Sequence, residues 1–160
     1  MAVEDTFNGA KTGLTLLDAY INTVAQEIGM ERALALEHKM CETMGAAQGK
    51  IIKEQAGIAE FDAKAAHPLL MTVIEDGFGI LSEVIEESPQ RVVVKVGRCP
   101  VYESAQALGM DAQAIEASCR ASSIRFMEAM AKQLNPNLSY QLTKFRSGAD
   151  GYCEEAIVLA

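Results

Sequence analysis

Residues 80–99 read ILSEVIEESPQRVVVKVGRC, and this stretch decides the fold because the helical spacing of apolar residues ends where it begins. Two apolar runs flank Ser88-Pro89-Gln90, which predicts two antiparallel strands joined by a turn. Pro100 follows directly and should stop the second strand, since proline has no amide hydrogen to give to a sheet. We therefore expect a β-hairpin of Ile80–Glu87 and Arg91–Cys99, with a thiol at the end of its second strand.

The chain before this hairpin has the apolar spacing of helices. Residues 14–28 form one such pattern, which Gly29 ends, and residues 33–51 form a second. A third helix is expected over about 60–76, and His67-Pro68 offers it a second start, because proline suits a first helical turn.

A helix and a second hairpin are predicted after residue 100. Asp111 is suited to cap a long helix that runs to about Leu134. One seam of this helix would carry Ile115, Cys119, Ser122, Phe126, Met130 and Leu134. Asn135-Pro136-Asn137 should stop it, and residues 138–145 and 152–159 would pair around a turn at 147–151.

These elements predict an α+β fold in a single domain, residues 1–160. N-terminal helices fill about residues 1–78. A hairpin–helix–hairpin part, about 79–160, forms a small and mainly antiparallel sheet.

The composition favours a soluble protein. Of the 160 residues 49% are hydrophobic, and the net charge of −8 disfavours nonspecific binding to nucleic acid or to an anionic membrane. No window approaches the ~18 consecutive apolar residues of a membrane-spanning helix. The start, MAVED, lacks the basic and apolar regions of a secretion signal, which predicts a cytoplasmic location. The eight methionines are expected in the core, and a Met-rich helical face also suits a homodimer.

Three of the four cysteines are predicted to approach one another. The helix seam turns Cys119 towards the sheet, strand alternation turns Cys153 inwards, and Cys99 lies near the rim. Thiolates suit tetrahedral zinc, so these three would form a zinc site from distant segments. The alternative is that Cys119 and Cys153 are small core hydrophobes, as free cysteines usually are. No CxxC pair occurs, and we expect reduced thiols.

Acid–base chemistry has fewer candidates. Cys99 would act as a nucleophile only if a nearby cation lowered its pKa, and each candidate is more usually a solvated surface arginine. The candidate cations are Arg120, Arg125 and Arg146. His67 is suited to be a general base at neutral pH, or it is structural. Acidic residues near the cysteines would orient a water or complete a metal shell, or they serve a turn and the solvated surface. These are Glu103, Asp150, Glu154 and Glu155.

Five motifs follow one another through the second half of the chain. They are RCPVYE (98–103), ALG (107–109), Cys119, LNPNLSY (134–140) and GADGYC (148–153). In this order they resemble the L-2-amino-thiazoline-4-carboxylic acid hydrolase family, over roughly Ile80–Leu159. The resemblance implies an enzyme, a hydrolase that opens a cyclic C–N bond and converts 2-amino-thiazoline-4-carboxylate to N-carbamoyl-cysteine.

Such a ring opening implies roles for particular residues. Water must add to a C=N carbon. One route uses an activated water, with zinc or a cationic side chain to stabilise the developing charge. The other route begins with attack by Cys99. His67 and Glu103 would be the further catalytic residues, and Arg120, Arg146 and Tyr102 would bind the substrate. If Cys99 is the nucleophile, serine at this position should abolish turnover and leave folding intact.

A second function stays open. The closing hairpin also resembles the vinyl-4-reductase-like domains of small-molecule sensors, some of which hold zinc through cysteines. This resemblance implies a noncatalytic binding or sensor domain with structural or zinc-binding cysteines. The Glu-x-x-Cys expected there before the last cysteine is absent from this chain. Either function implies a small molecule as the partner.

Overall fold

Six helices and a four-stranded antiparallel sheet form the fold in the computed structural model, which describes residues 2–160. The helices are α1 (Val3–Ile28), α2 (Met30–Ala56), α3 (Ala63–Phe78), α4 (Pro100–Ala107), α5 (Ala112–Ala121) and α6 (Ser123–Leu134). The strands are β1 (Ser82–Glu87), β2 (Arg91–Val96), β3 (Leu138–Lys144) and β4 (Cys153–Leu159). The predicted α+β fold class is confirmed. Within the described range, no helix combines the length and the apolarity that crossing a membrane requires.

The last strand, β4, lies inside the sheet, whose order is β1-β2-β4-β3. Both predicted hairpins are present, because β1 pairs antiparallel with β2 and β3 with β4. On its other side β4 pairs with β2, so that Cys153 lies opposite Val96. Alternate residues of these central strands point into a core shared with α2, α3 and α6. The sheet therefore presents the start of β4 next to the end of β2.

The second strand ends earlier than predicted. β2 stops at Val96, and Cys99 stands three residues later, in extended conformation immediately before α4. Pro100 is the first residue of α4, where a missing amide hydrogen breaks no helical hydrogen bond. The Cys-Pro step therefore begins a helix, and the thiol belongs to the connection between strand and helix.

The long helix predicted from Asp111 to Leu134 is wrong in one respect, since it is divided into α5 and α6 at Ser122. Ser122 has φ −104° and ψ −87°, outside the helical range. Its hydroxyl donates to the Ser118 carbonyl oxygen at 2.8 Å, a bond with the preceding turn that bends helices. Asp111 does cap α5, because its side chain accepts from the Ala114 amide at 2.8 Å.

Helix α2 buries a different face from the one that its apolar spacing predicts. Leu36, Met40, Met44 and Ile51 are 39–58% exposed. The expectation that the methionines are core residues is therefore confirmed for Met71, Met127 and Met130 and wrong for the two methionines of this face. The buried residues are Ala33, Glu37, Cys41, Gly45, Gly49 and Ile52. A Cβ on Gly45 would stand 2.2 Å from the Phe126 carbonyl oxygen of α6. The glycines therefore let the backbones of α2 and α6 approach more closely than side chains would allow.

Candidate functional site

The three cysteines of the second half gather at one end of the sheet. Cys153 begins β4 opposite Val96, Cys99 follows β2, and Cys119 lies on α5 and packs against the same core. Burial raises the pKa of Cys119 well above its ordinary value, and the nearby Cys99 and Cys153 thiols add to this effect. The helix seam and the strand alternation thus place these thiols near one another, as the sequence predicts.

Nothing in this arrangement amounts to a metal centre. Within residues 2–160, no group of three or more histidine, cysteine, aspartate or glutamate side chains is placed to hold a metal ion. The four cysteines are unpaired thiols. The predicted zinc site of Cys99, Cys119 and Cys153 therefore lacks a ligand set in this structure, and zinc binding stays a prediction.

The Cys99 thiol is not prepared for nucleophilic attack. Burial raises its pKa to about 11, while the Tyr102 amide at the start of α4 and the Arg146 guanidinium lower the pKa less than burial raises it. At neutral pH the group is therefore a neutral thiol, and the thiolate is the reactive form. The nucleophile hypothesis stays a prediction, and this pKa disfavours it.

Glu155 lies on the side of β4 that faces the helices. The sequence left open whether this residue orients a water, completes a metal shell or is simply solvated. It stands between Cys153 and Ile157 in the period-two alternation of β4. Its neighbours across the sheet are Val94 on β2 and Leu142 on β3, both buried. A carboxyl group is thus set among apolar side chains, which is unfavourable without a hydrogen-bonding partner.

Tyr140 supplies that partner. It lies on β3, is 1% exposed, and donates its hydroxyl proton to Oε2 of Glu155. Burial raises the pKa of Glu155, although the hydrogen bond from Tyr140 and the charge of Arg146 act in the opposite direction. Burial, together with the Glu155 charge, also raises the pKa of Tyr140 well above its ordinary value, so the phenol stays protonated.

Arg146 is the cation of this region and is 4% exposed, which corrects the expectation of a surface arginine. Its Nη2 donates to the carbonyl oxygens of Gly97 and, at 3.4 Å, Val96. Its guanidinium carbon lies 4.6 Å from the centre of the Tyr102 ring. Its Nε is buried without a hydrogen-bond partner among the described residues. We refer to Tyr140, Arg146 and Glu155 together as the Glu155 cluster.

No carboxylate of residues 2–160 lies within 4.0 Å of the Arg146 guanidinium. Arg146 and Glu155 are therefore opposite charges that influence each other without a direct ion pair. A buried donor without a hydrogen-bond partner costs free energy. The Nε–H of Arg146 is therefore available to a ligand that accepts a hydrogen bond.

An open groove of about 480 Å³ adjoins the cluster through Tyr102. Glu103 lies in it and is bonded by Lys11 Nζ at 2.9 Å and Arg98 Nε at 3.0 Å. Burial alone would raise the pKa of Glu103, but these two cations together hold the pKa below its ordinary value. Glu103 is therefore an ion-paired carboxylate and a weak base. We call this groove the Tyr102 groove. Tyr102 connects it with the Glu155 cluster, because Tyr102 lines the groove and its ring contacts Arg146.

Two of the predicted site residues are not part of the Glu155 cluster. His67 is in the first half of α3. The start of this helix lies at the turn between β1 and β2, because the Ala63 amide donates to the Pro89 carbonyl oxygen at 2.8 Å. This turn is at the other end of the sheet from Cys153. Burial lowers the pKa of His67, which keeps its ring neutral. Arg120 is near Cys119 but exposed, and it is paired with Glu116 at 2.7 Å. The structure thus brings Arg146, Tyr102 and the cysteines together and leaves His67 apart.

The comparison with family models identifies the chain. The model of the L-2-amino-thiazoline-4-carboxylic acid hydrolase family matches residues 10–154. The chain belongs to this family. The match extends the resemblance from the second half of the chain into α1, α2 and α3, which sequence reasoning matched only in character. No curated protein matches the chain.

Two solved structures share the fold of this family member. The phenol-responsive sensory domain of the transcription activator PoxR, solved with phenol, has a TM-score of 0.66 at 11% identity, over 91% of this chain and 74% of that one. Trafficking protein particle complex subunit 3 from Naegleria fowleri, covalently bound to palmitic acid, has a TM-score of 0.57 at 12% identity, over 94% of this chain and 96% of that one. At such identities the likeness concerns the fold alone.

Proposed function

We propose that this family member hydrolyses a small cyclic substrate at a C=N carbon, with the Glu155 cluster as its active centre. One observation carries the proposal: a half-buried carboxyl group with a raised pKa is hydrogen-bonded to a buried phenol and lies near a guanidinium with an unused N–H. A pKa displaced in this way is typical of acid–base catalysts.

In this proposal Glu155 is the general base. Its ionised form accepts a proton from water as the water oxygen bonds to the C=N carbon, and it passes that proton to the ring nitrogen. The carbon–sulfur bond of the ring then breaks as the carbonyl forms, and Glu155 transfers the proton of the new hydroxyl group to the departing sulfur. Both hydrogens of the water are thus accounted for, one on nitrogen and one on the new thiol.

Arg146 and Tyr140 have supporting roles in the proposal. The unused Nε–H of Arg146 would donate to the substrate carboxylate, with the Tyr102 ring fixing the plane of the guanidinium. Tyr140 would hold Glu155 in one orientation through its hydroxyl. Cys99, Cys119 and Cys153 would line the site as neutral thiols, and Glu103 would keep Lys11 and Arg98 at its entrance.

Incubation with 2-amino-thiazoline-4-carboxylate tests the function. We expect one free thiol per molecule of substrate consumed, measured with a chromogenic thiol reagent, and N-carbamoyl-cysteine as the product identified by mass spectrometry. A trace amount of protein keeps its own thiols below detection. Absence of both signals over a range of cyclic C=N substrates would contradict the hydrolase.

The second candidate is a small-molecule-binding domain without turnover. Its support is the fold shared with the phenol-responsive sensory domain of PoxR. Isothermal titration distinguishes the two candidates, because a binding domain would show saturable heat with an unchanged compound recovered afterwards. A hydrolase would continue to release heat until the compound was consumed.

Replacement of Cys99 by serine separates the chemical roles of the thiol. Because burial raises its pKa to about 11, we expect Cys99→Ser to retain turnover within about tenfold of the unaltered protein. Iodoacetamide should likewise modify this thiol no faster than Cys41, whose pKa burial also raises to about 11. Complete loss of turnover, with Cys41→Ser fully active, would instead establish Cys99 as the nucleophile.

The homodimer stays a prediction. Met44 and Ile51 of α2 are 56% and 47% exposed and would suit an interface between copies. Sedimentation velocity over a hundredfold range of protein concentration would show a dimer as a second, faster boundary.

A further inference from the structure

Helices α1 and α2 enclose two carboxyl groups that no cation balances. Asp18 is 7% exposed and Glu37 is 4% exposed. Asp18 accepts a hydrogen bond from the Ser104 hydroxyl at 2.7 Å, whereas Oε2 of Glu37 is buried without any partner among the described residues. Neither carboxylate has a lysine, arginine or histidine nitrogen of residues 2–160 within 4.0 Å. Buried charge without a counter-ion is strongly unfavourable.

Glu37 also lines a groove between these two helices. The groove encloses about 140 Å³, and apart from Glu37 its walls are aliphatic side chains, a methionine and one tyrosine. They are Leu17, Tyr20, Ile21, Val24, Ala33, Leu36, Glu37 and Met40. We call it the α1–α2 groove. A carboxylate at the base of an apolar slot, with an aromatic ring at its rim, matches a cation that carries an apolar body.

We propose that the α1–α2 groove binds a small alkylammonium ion, with Glu37 as its counter-ion and the aliphatic walls around its carbon chain. The ammonium group would donate to the unpartnered Oε2, which is a charge-assisted hydrogen bond to a buried acceptor. The size of the groove restricts the apolar body to a few carbon atoms. Two buried carboxylates explain the preference for a cation over a neutral ligand of the same shape.

The titratable groups around Glu37 give the site a pH dependence. They are Asp18 and Tyr20 from α1 and Cys41 on α2. Burial raises the pKa of Glu37 to about 7, and the charge of Asp18 adds to the effect. Cys41 stays neutral, because burial raises its pKa to about 11. An alkylamine resembles lysine and remains protonated below about pH 10. Binding should therefore tighten as pH rises from 6 to 8 and Glu37 ionises.

Calorimetric titration with n-butylammonium chloride tests the site, with 1-butanol as the uncharged match. We expect butylammonium to bind at pH 8, with affinity falling about tenfold at pH 6, and butanol to bind at least about tenfold more weakly at pH 8. Glu37→Gln should weaken butylammonium binding about tenfold. Glu31→Gln is the control, because Glu31 lies on the same helix but is exposed.

Four outcomes would overturn the proposal. Equal affinity for butanol would show an apolar slot without a cation site. Unchanged butylammonium affinity in Glu37→Gln, or an equal loss in Glu31→Gln, would place the cation elsewhere. Ammonium chloride as effective as butylammonium would show that the groove walls take no part. Loss of folding in Glu37→Gln would leave the pH dependence of the unaltered protein as the deciding measurement.

Discussion

Replacement of Glu155 by glutamine is expected to lower kcat for 2-amino-thiazoline-4-carboxylate by about 10²–10⁴-fold, the usual contribution of a general acid–base group. Glutamine keeps the shape of the side chain and can still bond to the Tyr140 hydroxyl, but it cannot accept a proton from water. The same role predicts an acidic limb in the pH–rate profile of the unaltered protein. Activity should rise with pH through the raised pKa of Glu155, because only the ionised form is a base.

The adjacent residue provides a matched control for this experiment. Glu154 lies on the opposite side of β4 and is paired with Lys144 at 3.6 Å. Glu154→Gln should leave kcat within about twofold, since exposed pairs contribute little. Turnover by Glu155→Gln within threefold of the unaltered protein, or a pH–rate profile without that limb, would remove Glu155 from the mechanism. Tyr140→Phe should shift the limb to higher pH, because it deletes the hydrogen bond that lowers the pKa of Glu155.

Replacement of Gly45 by alanine is expected to lower the free energy of unfolding by about 3 kcal/mol. The new Cβ would stand 2.2 Å from the Phe126 carbonyl oxygen, which is backbone and cannot rotate aside. Helices α2 and α6 would have to separate, which would open the core that contains Met130 and Leu134. The gain in helix propensity, about 1 kcal/mol, offsets only part of this cost. Urea unfolding followed by circular dichroism measures the change.

A second glycine separates helix propensity from packing. Gly13 lies within α1, and no atom stands within 4 Å of a Cβ built on it. Gly13→Ala should therefore stabilise the protein by up to about 1 kcal/mol, opposite in sign to Gly45→Ala. Equal effects of the two substitutions would mean that the close approach of α2 and α6 contributes nothing to stability.

The sheet was predictable from the sequence because strand periodicity is local. The run Arg91–Val96 and the turn at Ser88 specify one hairpin, and the turn after Phe145 specifies the other. The division at Ser122 was not predictable from apolar spacing, which continues through the serine. Apolar spacing also failed to predict the buried face of α2. Glycine has no hydrophobic side chain, and Gly45 and Gly49 are buried because the backbone of α6 approaches them closely.

Only part of the candidate site could be predicted from the sequence. Strand alternation turned Cys153 inwards, and the same rule, applied two residues further, would have turned Glu155 inwards as well. The preference of glutamate for solvent outweighed that signal. Tyr140 stood within a family motif, but its partner across the sheet depends on the register of β3 and β4, which only the structure provides. The position of Arg146 depends on carbonyl groups of the distant Val96 and Gly97.

The central place of β4 has a consequence for how the molecule assembles. The β1–β2 hairpin and β3 are joined only through this strand. The four-stranded sheet therefore cannot form before residues 153–159 are in place. Pairs such as Val94 and Glu155 close loops of some sixty residues, and contacts that span such separations slow folding. Until β4 inserts, β2 presents an open edge, which is a template on which strands of other chains can add. The strand that delivers Glu155 therefore also protects the nascent sheet from aggregation.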